Sequence, residues 1–359
     1  MIKQRIAAYR ALLREKNLDA MLVSNESNVR YLSGYSNHEA VLLIGAEYIA
    51  LLITDFRYEE QARHDCPDYE CCIYSKADGG MSGYVGKKCL QLGIGKLGFE
   101  PDAVSYAQYQ AYAQALNDID FVAVAGMAES LRCCKDEKEI AAMRHACRCT
   151  DRVFEKMCAY LRAGISEKQA EFQLLSFIND EGCESSFDPI VVSGVRCSLP
   201  HGVAGNKLIE QGDFVTMDFG CMYQGYHADM TRTVVIGDAD TEQIRIYDIV
   251  LQSHLRGLAA VRPGALCADV DKVARDYIAA CGYGREFGHS LGHGVGLDIH
   301  EAPTLGASSN ELLCPGQLVT VEPGIYIPNW GGVRVEDTVL VTADGAESLF
   351  TSPKELLCL

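Results

Sequence analysis

Four acids recur in one stretch of the chain at places where ordinary strands have no structural reason to carry charge. They are Asp218, Asp229, Glu322 and Glu336. The first lies in Val215-Thr216-Met217-Asp218-Phe219-Gly220, which continues through Tyr226-His227-Ala228-Asp229 and returns as Met230-Thr231-Arg232-Thr233-Val234-Val235. The third lies in Val319-Thr320-Val321-Glu322-Pro323-Gly324, which continues to Val333-Arg334-Val335-Glu336 and returns as Asp337-Thr338-Val339-Leu340-Val341. A shift of 104 positions superposes Gly212 on Gly316, Val215 on Val319, Thr216 on Thr320, Asp218 on Glu322 and Gly220 on Gly324. The segment is an internal duplication, and each copy keeps an acid. Side chains alternate along a strand, so Thr216 and Asp218 share one face, as do Thr320 and Glu322. Four carboxylates converging in an apolar sheet repel one another and are costly to desolvate unless a cation sits among them.

A further ligand is expected between the copies. The segment Gly288-His289-Ser290-Leu291-Gly292-His293-Gly294-Val295-Gly296-Leu297-Asp298-Ile299-His300 offers three histidines among glycines that let the backbone approach a site closely. Four acids and one imidazole form a hard, oxygen-rich set, suited to manganese first and to cobalt or zinc as substitutes. So many carboxylates fit two divalent metal ions better than one.

The order Asp218, Asp229, His293, Glu322, Glu336, with gaps of 11, 64, 29 and 14, resembles the dinuclear pita-bread metallopeptidases. Within them it is similar to the branch of Xaa-Pro dipeptidase (prolidase) and aminopeptidase P. Pro200-His201-Gly202, Asp298-Ile299-His300-Glu301, Val321-Glu322-Pro323-Gly324 and Gly332-Val333-Arg334-Val335-Glu336-Asp337 carry the same resemblance. More weakly, so do Asn28-Val29-Arg30-Tyr31-Leu32-Ser33-Gly34 and Thr54-Asp55-Phe56-Arg57, which look like that branch's amino-terminal domain.

The resemblance implies a metal-dependent hydrolase of the bond between an N-terminal residue and proline, acting through a hydroxide that bridges two metals. It implies Asp218 and Asp229 on one metal, His293 and Glu322 on the other, and Asp229 and Glu336 as bridges. Glu322 is then the group that shuttles the proton to the leaving amine. An Xaa-Pro bond is a tertiary amide with no N–H to recognise, so His201, His289 and His300 are expected to supply polar contacts and to stabilise the oxyanion. Arg334 is expected to pair with Asp229 or another site acid. A dipeptidase also needs a cation for the proline carboxylate, with Arg57, Arg196 or a partner subunit as sources. The rival readings are an enzyme like methionine aminopeptidase, which leaves the amino-terminal domain unexplained, and a non-catalytic pita-bread binding protein, which has no reason to keep all five ligands. Gly288-His289-Ser290-Leu291-Gly292 also matches the serine-hydrolase elbow, but glycines flank it where an elbow needs a strand before and a helix after.

The elements that must hold these residues follow from the rest of the chain. At 359 residues, two domains are expected: an α/β amino-terminal domain of the creatinase type over residues 1–132, and an α+β pita-bread catalytic domain with a pseudo-twofold duplication over residues 133–359. In the first, helical patterns over 2–16 and 106–116 alternate with strand patterns over 19–24, 41–54, 96–100 and 120–124, which suggests a mixed sheet flanked by helices. In the second, helices are predicted over 138–161, 166–181, 241–261 and 267–281, with a strand over 188–193 and a loop at Leu199-Pro200-His201-Gly202.

The 32 basic and 49 acidic residues leave a net charge of −17, which argues against nucleic acid or an anionic membrane as partner and for a small peptide with proline second. The charged opening Met1-Ile2-Lys3-Gln4-Arg5-Ile6 reads as neither a signal peptide nor a span. Sixteen scattered cysteines without a C-x-x-C read as reduced, mostly buried thiols, and a cytoplasmic homodimer is expected.

Overall fold

A computed structural model describes all residues, 1–359, and the chain forms two compact units, Met1–Arg132 and Cys133–Leu359. The first unit runs α1 (Ile2–Glu15), β1 (Ala20–Val23), α2 (Glu26–Ser33), β2 (Val41–Gly45), β3 (Ala50–Thr54), α3 (Glu59–Asp65), β4 (Glu70–Ile73), α4 (Gly80–Gln91), β5 (Lys96–Phe99), α5 (Tyr106–Ala115), β6 (Asp120–Ala123) and α6 (Met127–Arg132). Its sheet has the order β4-β3-β2-β1-β5-β6. The β1/β2 and β2/β3 pairs are antiparallel and the other three parallel, so the sheet is mixed. The central strands β1 and β2 are buried along their whole length. They read as continuous apolar runs because helices cover both faces. Strand β4, with Cys71 and Cys72, and helices α2, α3 and α4 were not read from the sequence.

The second unit repeats one plan. Its first half has α7 (Glu137–Tyr160), α8 (Glu167–Asp180), β7 (Glu184–Ser185), β8 (Ile190–Ser193), β9 (Phe214–Phe219), β10 (Cys221–Tyr223), β11 (Tyr226–His227) and β12 (Met230–Val235). Its second half has α9 (Thr241–Ala260), α10 (Cys267–Ala280), β13 (Gly292–Gly294), β14 (Glu301–Leu305), β15 (Leu318–Val321), β16 (Gly324–Ile327), β17 (Gly331–Arg334), β18 (Asp337–Val341) and β19 (Ala346–Ser348). Helices α7, α8 and α9 each start with a capping box, from Asp136, Ser166 and Asp240, which satisfies their first N–H groups.

Each copy of the duplication is two nested antiparallel pairs rather than one simple hairpin. In the first, β9 pairs with β12 and, inside them, β10 with β11; in the second, β15 pairs with β18 and β16 with β17. The inner and outer pairs belong to different sheets, so the chain turns sharply where it leaves one for the other. Gly220 and Gly324 stand at these turns. A Cβ at Gly220 would lie 1.7 Å from the Ala228 carbonyl oxygen, and one at Gly324 would lie 2.5 Å from the Tyr326 hydroxyl. The packed apolar faces of both halves, among them Val192, Phe214, Ile246, Val270, Val319, Ile325 and Val339, form one core beneath these strands. All sixteen cysteines are free and most are buried, and no helix is long and apolar enough to cross a membrane.

Candidate metal centre

The acids sit at the junctions where the outer and inner strands part. Asp218 is the penultimate residue of β9 and Asp229 directly precedes β12. Glu322 directly follows β15, and Glu336 lies between β17 and β18. The pseudo-twofold thus brings four strand ends to one place. Three threonines hold the acids in position. Thr320 Oγ1 donates to Glu322 Oε1 at 3.0 Å, Thr231 Oγ1 donates to Glu336 Oε2 at 2.6 Å, and Thr338 Oγ1 donates to the Asp229 carbonyl at 3.0 Å. Backbone bonds from Glu322 to Leu291 O (2.8 Å) and from Glu336 to Thr231 O (3.1 Å) fix the two glutamates further.

His293 lies in β13, and one donor atom from each of Asp229, His293 and Glu336 lies within 4.8 Å of the other two. The ring is fixed from behind, with Nδ1 3.0 Å from the Gly294 carbonyl. Nδ1 therefore carries the proton, and Nε2 presents its lone pair to Asp229 Oδ2 at 3.5 Å and Glu322 Oε1 at 3.3 Å. A lone pair facing two carboxylate oxygens is repulsive unless a carboxyl proton or a metal cation lies between them. Asp218 Oδ1 and Glu336 Oε1 are buried with no hydrogen-bond partner, which an interior does not tolerate without compensation. The carboxyls also resist ionisation as a bare set. Burial, then the Glu336 and Asp218 charges, pushes Asp229 well up. Burial, then Glu322 and Asp218, does the same to Glu336. Burial foremost pushes Glu322 up to about 8. Asp229, His293 and Glu336 bring one donor atom each close enough to hold a metal ion, with Glu322 beside His293 and an unpartnered Asp218 oxygen nearby, a donor set that fits a hard divalent cation.

Arg334 is buried beside the acids. Its Nη2 donates to Asp218 Oδ2 at 2.6 Å, its Nε to Thr231 Oγ1 at 2.9 Å and its Nη1 to the Tyr326 hydroxyl at 2.8 Å. Its acid partner is Asp218, not Asp229, because the pairing is made across two sheets and not along one strand. Tyr326, which sequence reasoning missed, extends the chain of bonds. Its hydroxyl lies 3.0 Å from His289 Nε2, while His289 Nδ1 lies 2.8 Å from the Ser290 carbonyl. Nδ1–H donates to that carbonyl, so Nε2 accepts from the tyrosine. Burial first, with the Arg334 charge adding to it and the Ser290 contact opposing it, lowers His289 to about 4, and it is neutral at pH 7. Both of its nitrogens are engaged within the protein. Replacing Tyr326 by phenylalanine leaves Arg334 Nη1 and His289 Nε2 without this partner, and is expected to destabilise the fold by about 2 kcal/mol in chemical denaturation.

His300 and His201 are both exposed. The His300 ring meets that of His293 edge-on, 4.4 Å between centroids. Burial lowers the His300 pKa, and the His293 and His201 charges lower it further; the His201 charge also reaches His289. His201 and His300 thus flank the acids with free ring edges. Arg196 is taken up by Glu167 and the Val203 carbonyl, and Arg57 by Asp55. Ser290 lies in coil that leads into a strand, with no helix after it, so the serine elbow is absent. Behind the centre, Asp337 is fully buried and receives Arg232 Nη2 at 2.8 Å, Ser348 Oγ at 2.7 Å and Lys354 Nζ at 2.8 Å. Arg232 Nη1 also donates to the Glu336 carbonyl at 2.6 Å. His254 Nδ1 lies 3.0 Å from the carbonyl of Val321, the residue before Glu322.

Residues 141–343 match the model of metallopeptidase family M24, and residues 5–134 match the creatinase/prolidase N-terminal domain. A peptidase of Bacillus subtilis (strain 168) designated YqhT is 41% identical over 98% of this chain and 98% of its own. Among solved structures, the Xaa-Pro dipeptidase from Bacillus anthracis superposes with a TM-score of 0.96 at 43% identity, covering 100% of both chains. The X-Pro aminopeptidase from Thermotoga maritima superposes with a TM-score of 0.91 at 34% identity, covering 100% of this chain and 99% of that one.

Proposed function

Because the chain belongs to metallopeptidase family M24, we propose that it hydrolyses the peptide bond between an N-terminal residue and proline, as an Xaa-Pro dipeptidase or Xaa-Pro aminopeptidase. The observation that carries this reading is the lone pair of His293 Nε2 turned toward Asp229 and Glu322, in a cluster that also holds two buried unpartnered carboxylate oxygens. Support for the proline requirement comes from the names of similar structures, an Xaa-Pro dipeptidase and an X-Pro aminopeptidase. The match of residues 5–134 to the creatinase/prolidase N-terminal domain favours this branch over one like methionine aminopeptidase.

In this reading Asp218, Asp229, His293, Glu322 and Glu336 hold two divalent ions, manganese by the hardness of the donors, with cobalt or zinc able to substitute. When bound, such ions polarise the scissile carbonyl and make water acidic enough to attack it at neutral pH. Glu322, held 3.3 Å from His293 Nε2 in the cluster, is placed to take a proton and pass it to the proline nitrogen as that nitrogen leaves. His201 and His300, with free ring edges, donate to the carbonyl oxygen as it gains charge. Arg334 orients Asp218, and His289 acts through Tyr326 rather than on the peptide. The enzyme works on small peptides as a homodimer. Its free cysteines suit the reducing cytoplasm.

The test is hydrolysis of an Xaa-Pro dipeptide and an Xaa-Pro-Xaa tripeptide, before and after chelation and with manganese, cobalt or zinc restored. Cleavage that stops on chelation and returns with metal is expected. Preference for the dipeptide identifies a dipeptidase, and preference for the tripeptide an aminopeptidase. Cleavage that survives full chelation, or equal cleavage of peptides without proline, overturns the reading.

A further inference from the structure

The loop that presents His201, residues 194–213 between β8 and β9, opens on a 3-10 turn and is held in part by Lys207 on Asp213 (2.6 Å) and by Arg334 Nη1 on the Pro200 carbonyl (3.4 Å), but most of its ties run to one carboxylate. Glu167, the first residue of α8, is 0% exposed, yet it is not a cap: Ser166 serves that purpose. The Glu167 carboxylate is surrounded by donors from both ends of the His201 loop. Oε1 accepts from Ser193 N at 2.8 Å and Ser193 Oγ at 3.0 Å. Oε2 accepts from Gly205 N at 2.9 Å, and Arg196 Nε spans both oxygens at 3.2 and 3.0 Å. Arg196 Nη2 then reaches across the loop to the Val203 carbonyl at 2.6 Å. The backbone of the same helix end completes the grip, with Glu167 N bonding Lys207 O at 3.0 Å and Lys168 N bonding Gly205 O at 3.1 Å. Residues 193, 196 and 205 are thus tied to one buried carboxylate, and 203 to it through Arg196, with His201 on the arch between them.

The second half of the duplication contains a comparable device. Asp271, in α10 and also buried, pairs with Arg275 through two bonds of 2.8 and 2.7 Å. Asp271 Oδ1 accepts from Leu291 N at 3.0 Å, while Arg275 donates to the Phe287 carbonyl at 2.9 Å and the His289 carbonyl at 2.7 Å. In each half, a carboxylate on the second helix and a guanidinium clamp the loop that carries a histidine. A surface ion pair has no need of this many backbone partners, and a buried pair is costly unless its remaining bonds are filled, as they are here.

We propose that Glu167, with Arg196, is a positioning residue that fixes the His201 loop over the metal centre. The idea rests on the hydrolase reading for its kinetic consequence but not for its structural one. Two measurements therefore test it. Histidine carbethoxylation, followed by mass spectrometry, reads the reactivity of His201 without any substrate, with the exposed His64 as internal reference. Glu167→Gln places an amide N–H against loop N–H donors. It is expected to change the His201 rate at least about 3-fold relative to His64, with bound metal unchanged. The same substitution is expected to lower kcat/KM for an Xaa-Pro peptide by about 10-fold. In a His201→Ala background it should lower kcat/KM little further, because the two changes act through one group. Should Glu167→Gln fail to fold, Arg196→Met carries the same test at a partly exposed position.

An unchanged His201 rate, or a loss in kcat/KM that is fully additive with His201→Ala, overturns the proposal and makes the clamp a matter of stability alone. If the His201 rate changes but no Xaa-Pro peptide is cleaved even by the unaltered protein, the positioning inference stands and the hydrolase reading is the part that fails.

Discussion

Glu322→Gln is expected to lower kcat for Xaa-Pro hydrolysis by at least about 10³-fold, measured at saturating metal, because the substitution removes the proton carrier and one ligand charge together. The position is demanding. The carboxylate receives Thr320 Oγ1 at 3.0 Å and stands 3.3 Å from His293 Nε2, and its backbone N–H is fixed to Leu291 O. Glutamine is close in shape and keeps an acceptor for the threonine, so the fold should survive and the loss can be read as chemistry. A variant that binds metal and turns over within 10-fold of the unaltered enzyme would remove Glu322 from the reaction.

The second large effect concerns the metal-free protein. Asp229, Glu322 and Glu336 all have carboxyls pushed up, by burial first and, for Asp229 and Glu336, next by the charge of neighbouring acids. An acid whose folded pKa lies above its unfolded one is protonated in the fold when it is already ionised in the unfolded chain. Stability is then lost as pH rises toward the folded value. Below pH 6.5 the effect is opposed by histidines that burial keeps neutral, His254, His289 and His293 among them, whose unfolded forms bind protons there. The clean window is therefore pH 7 to 8, where Glu322 is still titrating. Each carboxyl still protonated in the fold contributes about 1.4 kcal/mol of lost stability per pH unit. The metal-stripped protein should accordingly lose several degrees of Tm across that unit. The loaded protein, which shares every other titrating group, should lose much less. Parallel Tm profiles for the two forms would mean that the carboxylates do not share one cation-dependent cluster.

The acids were legible in the sequence because the duplication fixes their register: once Asp218 is laid on Glu322, period-two alternation aims both at the same junction. The helices of the second unit were legible for a similar reason, since 138–161 and 241–261 carry long apolar periodicities with clear caps. What the sequence does not contain is the choice of partner across sheets. Arg334 reaches Asp218, 116 residues away, and nothing local distinguishes that partner from Asp229. Tyr326 was invisible because its counterpart 104 positions earlier is Met222, so the repeat that exposed the acids gave no sign of it. In sequence, Glu167 is an acid in the first turn of a helix after its Ser166 cap, a common place for one. Only the fold shows that its carboxylate is turned into the protein. In the first unit, the short elements α2, α3 and β4 lack a periodic run long enough to read, and their form is set by packing on the sheet.

The sharp turns at Gly220 and Gly324 bear on how this architecture can diversify. Between the two copies the acid changes from Asp to Glu two residues before the turn, yet the turn residue itself stays glycine, since any side chain at Gly220 would collide with the main chain at Ala228. Selection can therefore trade one ligand for another more freely than it can trade the bend beneath it. A combinatorial library aimed at new metal preferences would do best to randomise Asp218 and Glu322 and leave those two glycines untouched.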